Sequence, residues 1–271
     1  MSTAGGEPQL CADCTADAAG ALTFELTGAE ATALVLKRRG TGDRVTLDFT
    51  AVDGGRLRSV LSAGAELREG RWDAFADCGD SGLRRLEPGL RDLRALVDRA
   101  PRPVAGTVVA RVPYRTADGK LALRCWSRSP HAEAGALTVE DAALTVRGQL
   151  YGPRIGPGAV VEARLRGTPG RLHREPATDE GGGTFRCLLP YGPLAGGGLD
   201  GSQLWDLWLL PDGADGAEIR ISRILDDMAD RKSVFVYPAS HFGAGAEPAV
   251  RAAPYYTVDN DLSLRLDPQE S

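Results

Sequence analysis

Apolar and polar residues alternate through most of this chain. The runs Leu22, Phe24, Leu26, then Val45, Leu47, Phe49, then Leu144, Val146, and Leu207, Leu209 each put an apolar side chain at every second position. A period of two places those side chains on one face of a strand, which is how a half-buried strand is written. The runs are short and are broken by Gly, Pro, Asn and Asp, so they predict antiparallel sandwiches with frequent turns. One stretch departs from the period. Leu90, Leu93 and Val97 fall at helical spacing and predict a short helix across one end of the first half, with a weaker match over Leu225 to Met228. The expected fold class is therefore all-β: two tandem antiparallel, immunoglobulin-like β-sandwich modules with a short helix.

The tandem arrangement rests on three landmarks that recur in the same order. GALTFE at Gly20 to Glu25 is matched by GALTVE at Gly135 to Glu140. The pair Trp72-Asp73 is matched by Trp205-Asp206, each followed by an Arg-bearing apolar strand at Leu83 to Leu86 and Ile219 to Ile224. PYRTADGKLALR at Pro113 to Arg124 is matched by PYYTVDNDLSLR at Pro254 to Arg265. In this last motif Pro-Tyr-x-Thr alternates into a strand and Leu-x-Leu-Arg alternates back. Asp118-Gly119 and Asp259-Asn260 lie between them as the expected positive-φ pair of a type I′ turn. The expected division is a disordered leader over 1–19, copy one over 20–129, a linker near Ser127 to Ala134, and copy two over 135–267. Copy two is longer, and the extra length falls in the Gly/Pro-rich stretches Gly152 to Gly158, Thr178 to Gly183 and Leu194 to Gly201, where surface loops absorb insertions.

Composition agrees with two globular domains: 271 residues, 42% hydrophobic and 25% charged, with no apolar run near the roughly 18 residues of a membrane span. The N-terminus lacks a basic start and an apolar stretch, so no secretory signal is read and a cytoplasmic location is expected. Five cysteines, an odd number, make a poor disulfide framework. Cys11 and Cys14 form a single C-x-x-C. A structural zinc site needs four ligands, and no second such pair follows, so no metal is expected. The net charge of −5 is split, with copy one positive and copy two negative. Mutual attraction or drift explains the split, and a sharper alternative is that copy one faces a phosphate-bearing polymer. No nucleic-acid partner is expected.

Catalytic chemistry is sparse. The three histidines, His131, His173 and His241, do not repeat between copies and sit in text that reads as linker or loop. Gly196 to Gly201 spells G-x-G-x-x-G but precedes a strand, whereas the dinucleotide fingerprint follows one and opens a helix. Asp259-Asn260-Asp261 looks like a metal-holding Asp-x-Asp, yet its counterpart is Asp118-Gly119-Lys120, so the duplication keeps the turn and not the second carboxylate. Asp226, Asp227 and Asp230 would pair for work on a sugar only if the local structure brought them to one face. No cofactor is implied. The aromatics Trp126, Trp205, Trp208, Tyr255 and Tyr256 offer flat faces suited to sugar rings. The expected ligand-binding residues are Trp208, Arg223, Tyr256 and Asp259. Tyr256 stands where copy one has Arg115, Trp208 stands where copy one has Phe75, and Arg223 supplies hydrogen bonds to hydroxyl or phosphate groups.

The segments WDLWL, RISRILDD and PYYTVDNDLSLR resemble the β-sandwich modules appended to actinobacterial cell-surface glycosyltransferases and teichoic-acid-type glycerophosphotransferases. The match is clearest over Gln203 to Leu266. The resemblance implies acceptor-polymer binding or oligomerisation beside a separate catalytic domain, and it carries over no catalytic residue. Three functions stay open: a non-catalytic glycan- or sugar-phosphate-binding or assembly protein serving a separate glycosyltransferase; an enzyme of specialised metabolism with its site between the copies; and a structural subunit that forms a homo-oligomer through a sheet edge.

Overall fold

The computed structural model describes residues 9–28, 30–97, 99–101, 106–196, 199–214, 216–243 and 250–269. They fall into two compact units, one up to Ser127 together with Leu225–Ala229, the other from Arg128 to Ile224 and from Asp230 onward together with Ala105–Val108. The regular secondary structure among the described residues is almost entirely strand, as the period-two text predicts.

Unit 1 contains β1 (Cys11–Ala16), β2 (Leu22–Thr27), β3 (Ala33–Arg38), β4 (Arg44–Asp48), β5 (Thr50–Val52), β6 (Arg56–Leu61), β7 (Gly70–Asp77), β8 (Leu83–Arg85), β9 (Glu87–Asp92), β10 (Val108–Arg115) and β11 (Leu121–Arg128). They form two sheets, β5-β6-β2-β1-β9 and β10-β11-β7-β3-β4, with β8 also on β7. Between them lie Leu22, Phe24, Leu26, Leu34, Leu36 and Trp72, all buried. On β2 and β7 these are the inward members of the alternation, whereas β3 is buried on both faces from Ala33 to Leu36.

Unit 2 contains β12 (His131–Val139), β13 (Ala143–Tyr151), β14 (Val160–Leu165), β15 (Leu172–Pro176), β16 (Thr178–Gly181), β17 (Thr184–Pro190), the four-residue helix α1 (Gly192–Ala195), β18 (Gln203–Leu210), β19 (Ile219–Ser222), β20 (Ser240–Phe242), β21 (Val250–Tyr256) and β22 (Leu262–Pro268). One layer runs β16-β17-β13-β12-β19, and the other places β14 and β22 on β18, with β15 beyond β14 and β21 and β20 beyond β22. The short strand β19 belongs to both layers. It pairs antiparallel with β18 through Ile219 and Arg220, and parallel with β12 through Ile221 and Ser222. In unit 1 the same path is cut in two: β8 pairs antiparallel with β7, and β9 pairs parallel with β1. The pairings β2 to β6, β3 to β4 and β7, and β11 to β7 likewise have partners of the same sense in β13 to β17, β14 to β15 and β18, and β22 to β18.

Several expectations are corrected. The leader contains β1, which sits between β2 and β9, so residues 11–16 are integral to a sheet; its alternation of buried Ala12, Cys14 and Ala16 was masked by a polar composition. Cys11 and Cys14 differ by three in that strand, so one is exposed and the other buried, and they do not form a chelating pair. The linker is largely β12, and His131 is fully buried on it with Nε2 2.7 Å from Glu133. His173 is on β15, 2.7 Å from Glu175, and His241 is exposed on β20. The stretch GALTVE lies on β12, whereas GALTFE lies on β2, whose pairing partner scheme is that of β13. The matching text is Ala143-Leu144-Thr145-Val146, where Leu144 and Val146 are buried as Leu22 and Phe24 are. Thr178 to Gly181 is an edge strand and not an inserted loop. Among the described pairings each unit also carries one parallel pair in an otherwise antiparallel set. The helix expected around Leu90 to Val97 is a single 3₁₀ turn, Arg94–Leu96, with Leu90 exposed on β9. Residues 225–228 form no helix either.

Both hairpins are present, with a different turn. Gly119 N–H donates to Thr116 O and Asn260 N–H to Thr257 O, while Thr116 and Thr257 N–H donate to Lys120 O and Asp261 O. Only Gly119 (φ 80°) and Asn260 (φ 62°) have positive φ, so each loop is a type I turn closed by one left-handed residue. Asn260 is buried, and its side-chain carbonyl accepts the Arg231 N–H at 3.0 Å. Asn260→Val is therefore expected to lower stability by about 1–3 kcal/mol through left-handed strain in a β-branched residue. A urea-unfolding midpoint equal to wild type would contradict that geometry.

Candidate functional site

The repeated Trp-Asp pair divides its labour across a sheet. On β18 the alternation sends Trp205, Leu207 and Leu209 into the core and Asp206 and Trp208 to the opposite face. Asp206 there accepts from Arg166 (2.5 Å), Arg220 (2.9 Å) and Ser263 (2.8 Å). Burial raises its pKa, but these donors outweigh it, and its carboxyl is held below the usual range. Asp73 of β7 likewise holds Arg39 (2.7 Å) and Arg85 (3.2 Å). The motif is an ion-paired strut.

Beside this strut in unit 2 is an open notch of about 490 Å³, lined by Arg128, Ser129, Pro130, Trp208, Glu218, Ile219, Arg220 and Asp261. It forms where β19 leaves β18 to join β12. Trp208 is opposite Glu162 of β14 on one side and Arg220 of β19 on the other. Guanidiniums from both neighbouring strands reach its indole, Arg164 at 4.7 Å and Arg220 at 5.6 Å from the ring centroid. Arg164 is bound at 2.8 Å by Glu218, whose carboxyl this hydrogen bond holds below its ordinary pKa. Arg220 donates to Leu207 O, Leu262 O, Asp206 and Ser263, and burial lowers its pKa while Asp206 and Asp261 act against that. Asp261 accepts from Arg128 (3.0 Å) and Ser222 (2.7 Å).

Of the four expected contact residues only Trp208 lines the notch. Tyr256 is fully buried, packed against Phe235 and Tyr237 with the Arg231 guanidinium 5.8 Å from its ring, so it is a core residue and not a contact. Burial pushes its hydroxyl pKa up. Arg223 follows β19 outside the lining and reaches Gly135 O at 3.5 Å. Asp259 is half-buried in the β21–β22 turn, its N–H donating to Thr257 Oγ1. Arg128, Glu218, Arg220 and Asp261 were missed. The signal for Asp261 was present as a charge reversal: the matching hairpin position in unit 1 is Lys120, which pairs with Glu87 at 2.8 Å. Asp226 Oδ1 accepts the Asp227 N–H and Asp230 Oδ1 the Lys232 N–H, so both are engaged locally. Gly197 and Gly198 of the glycine motif lie outside the described residues. Among the described residues no cluster of His, Cys, Asp or Glu could hold a metal, and no helix is long and apolar enough to cross a membrane.

Fold and site together define an all-β sandwich protein with a polar, charge-matched notch. No protein-family model matches the chain, and no curated protein matches it. Among solved structures it is similar to S. aureus TarS 217-571, at 13% identity and TM-score 0.34, covering 68% of this chain and 56% of that one. It is also similar to a pullulanase from Anoxybacillus sp. LM18-11 complexed with maltotriose, at 9% identity and TM-score 0.25, covering 74% and 24%. A tetra-tandem repeat of a large adhesion protein is matched at 10% identity and TM-score 0.22, covering 96% and 66%. The chain spans about half the length of the first of these.

Proposed function

We propose that this chain is a non-catalytic glycan-binding or assembly protein serving a separate glycosyltransferase, and that its contact site is the notch of unit 2. What carries this is the lining: an aromatic rim at Trp208 beside two carboxylates and two guanidiniums at fixed positions. Hydroxyl-rich ligands need that combination, apolar surface for their C–H faces and paired donors and acceptors for their O–H groups. The resemblance of Gln203 to Leu266 to glycosyltransferase-associated modules points the same way. The two units are proposed to be duplicated copies, because each strand pairing of unit 1 has a counterpart in unit 2. A cytoplasmic location is proposed, in keeping with five free thiols, of which burial pushes Cys14 and Cys187 to about 12 and Cys125 to about 11.

The test is calorimetric titration of the full chain with soluble cell-wall polysaccharide fragments and nucleotide sugars. Saturable binding is expected for at least one, and Asp261→Ala is expected to weaken it at least tenfold while circular dichroism stays that of wild type. Absence of binding across the panel, or equal binding by the folded variant, would overturn the proposal.

A further inference from the structure

We infer that the notch takes a neutral sugar ring or polyol and discriminates against phosphate-bearing ligands; this rests on the glycan-contact reading of the same notch. A phosphate site needs cationic donors whose charge is not already neutralised. Here the guanidiniums are already matched. Arg220 is committed to two backbone carbonyls, Asp206 and Ser263. Arg128 holds Asp261 and Ser222, and Arg164 beside the rim holds Glu162 and Glu218. The positive charge of each guanidinium is already neutralised by a carboxylate, and a phosphate would enter facing Glu218 and Asp261, two like charges in the wall itself.

A hydroxyl meets neither obstacle. It donates and accepts at once, so it can donate a hydrogen bond to a carboxylate oxygen and accept one from a neighbouring guanidinium N–H while the ion pair stays closed. Glu218 and Asp261 each have lone pairs left after their present bonds, and Ser129 Oγ, which donates to Gly106 O at 3.2 Å, can still accept. The apolar share of the wall is Pro130, Ile219 and the rim of Trp208. Guanidiniums from both flanking strands lie 4.7 and 5.6 Å from the indole centroid and share the ring with the notch. In unit 1 the positions of Asp261 and Trp208 are Lys120 and Phe75, so the carboxylate is specific to unit 2.

The experiment titrates the full chain, at two salt concentrations, with methyl β-glucoside, methyl N-acetyl-β-glucosaminide and ribitol, and in parallel with glucose 1-phosphate and inorganic phosphate. At least one neutral probe is expected to bind at least tenfold more tightly than either phosphate probe, with little dependence on salt. Asp261→Asn, and separately the more exposed Glu218→Gln, should narrow that ratio several-fold by removing a wall charge. If a phosphate probe binds as tightly as the neutral ones, or if neither folded variant narrows the ratio, the neutral-ligand inference falls while glycan contact stands. If no probe of either kind binds, and the polysaccharide fragments also fail, both fall together.

Discussion

Replacing Arg220 by methionine should lower the unfolding free energy by about 3–5 kcal/mol, the usual consequence of removing one partner from a buried charge network. The side chain is nearly buried between β18, β19 and β22, and it satisfies two backbone carbonyls, Leu207 O and Leu262 O, besides Asp206 and Ser263. Without it those acceptors lose partners in a place that water reaches poorly. Arg166 contacts the same carboxylate but is 44% exposed, so Arg166→Met should cost only about 0–1 kcal/mol. Equal losses for the two variants in urea titrations would show that the strut is not what holds this face together. The network also sets an acid limit. Asp206 has a lower pKa in the folded protein than in the unfolded chain, so its contribution is complete above the unfolded value and fades as pH falls through the folded one. Stability of the wild type should therefore drop below about pH 4, and Asp206→Asn should flatten that part of the profile.

Trp205→Ala should be comparably severe, about 3–5 kcal/mol, because it empties a large volume in the centre of unit 2. The indole is fully buried among Leu207, Leu264 and their neighbours, and its Nε1 donates to Gln203 at 3.2 Å. Trp208, three residues on and facing the other way, should cost only about 1 kcal/mol when cut to alanine, through its lost contacts with Arg164 and Arg220. Calorimetric melting of the two variants separates the cases. A larger shift for Trp208→Ala would mean that Trp208, and not Trp205, faces the core.

The legible strands are those with large apolar residues in strict alternation, β2, β4, β13 and β18, and the two hairpins with their Thr-x-Asp-Gly and Thr-x-Asp-Asn loops. Their turn class differs from the expected one because Asp-Gly suits a type I′ pair as well as the left-handed end of a three-residue loop; the loop length decides, and it lies in the hydrogen bonds of Thr116 and Thr257. Strand β1 was hidden because its inward residues are Ala12, Cys14 and Ala16, too small and weakly apolar to stand out. Tyr256 is buried, against expectation, for a different reason. Its counterpart Arg115 is exposed, but segment 231–237 lays Arg231, Phe235 and Tyr237 against Tyr256 in unit 2. No local pattern announces a neighbour contributed by a loop. The notch was illegible in the same way, since Arg128, Glu218 and Asp261 come from three distant segments and meet only because β19 changes layers.

Trp208 offers the most direct test of notch occupancy. Trp72, Trp126 and Trp205 are buried, and Trp208 is the one tryptophan that lines the notch. Titrating the full chain with the tightest-binding neutral saccharide should therefore give a saturable change in tryptophan emission whose midpoint matches the calorimetric Kd, and Trp208→Phe should abolish the change. Calorimetric binding with no change in emission, or an undiminished change in Trp208→Phe, would place the ligand elsewhere and contradict the account.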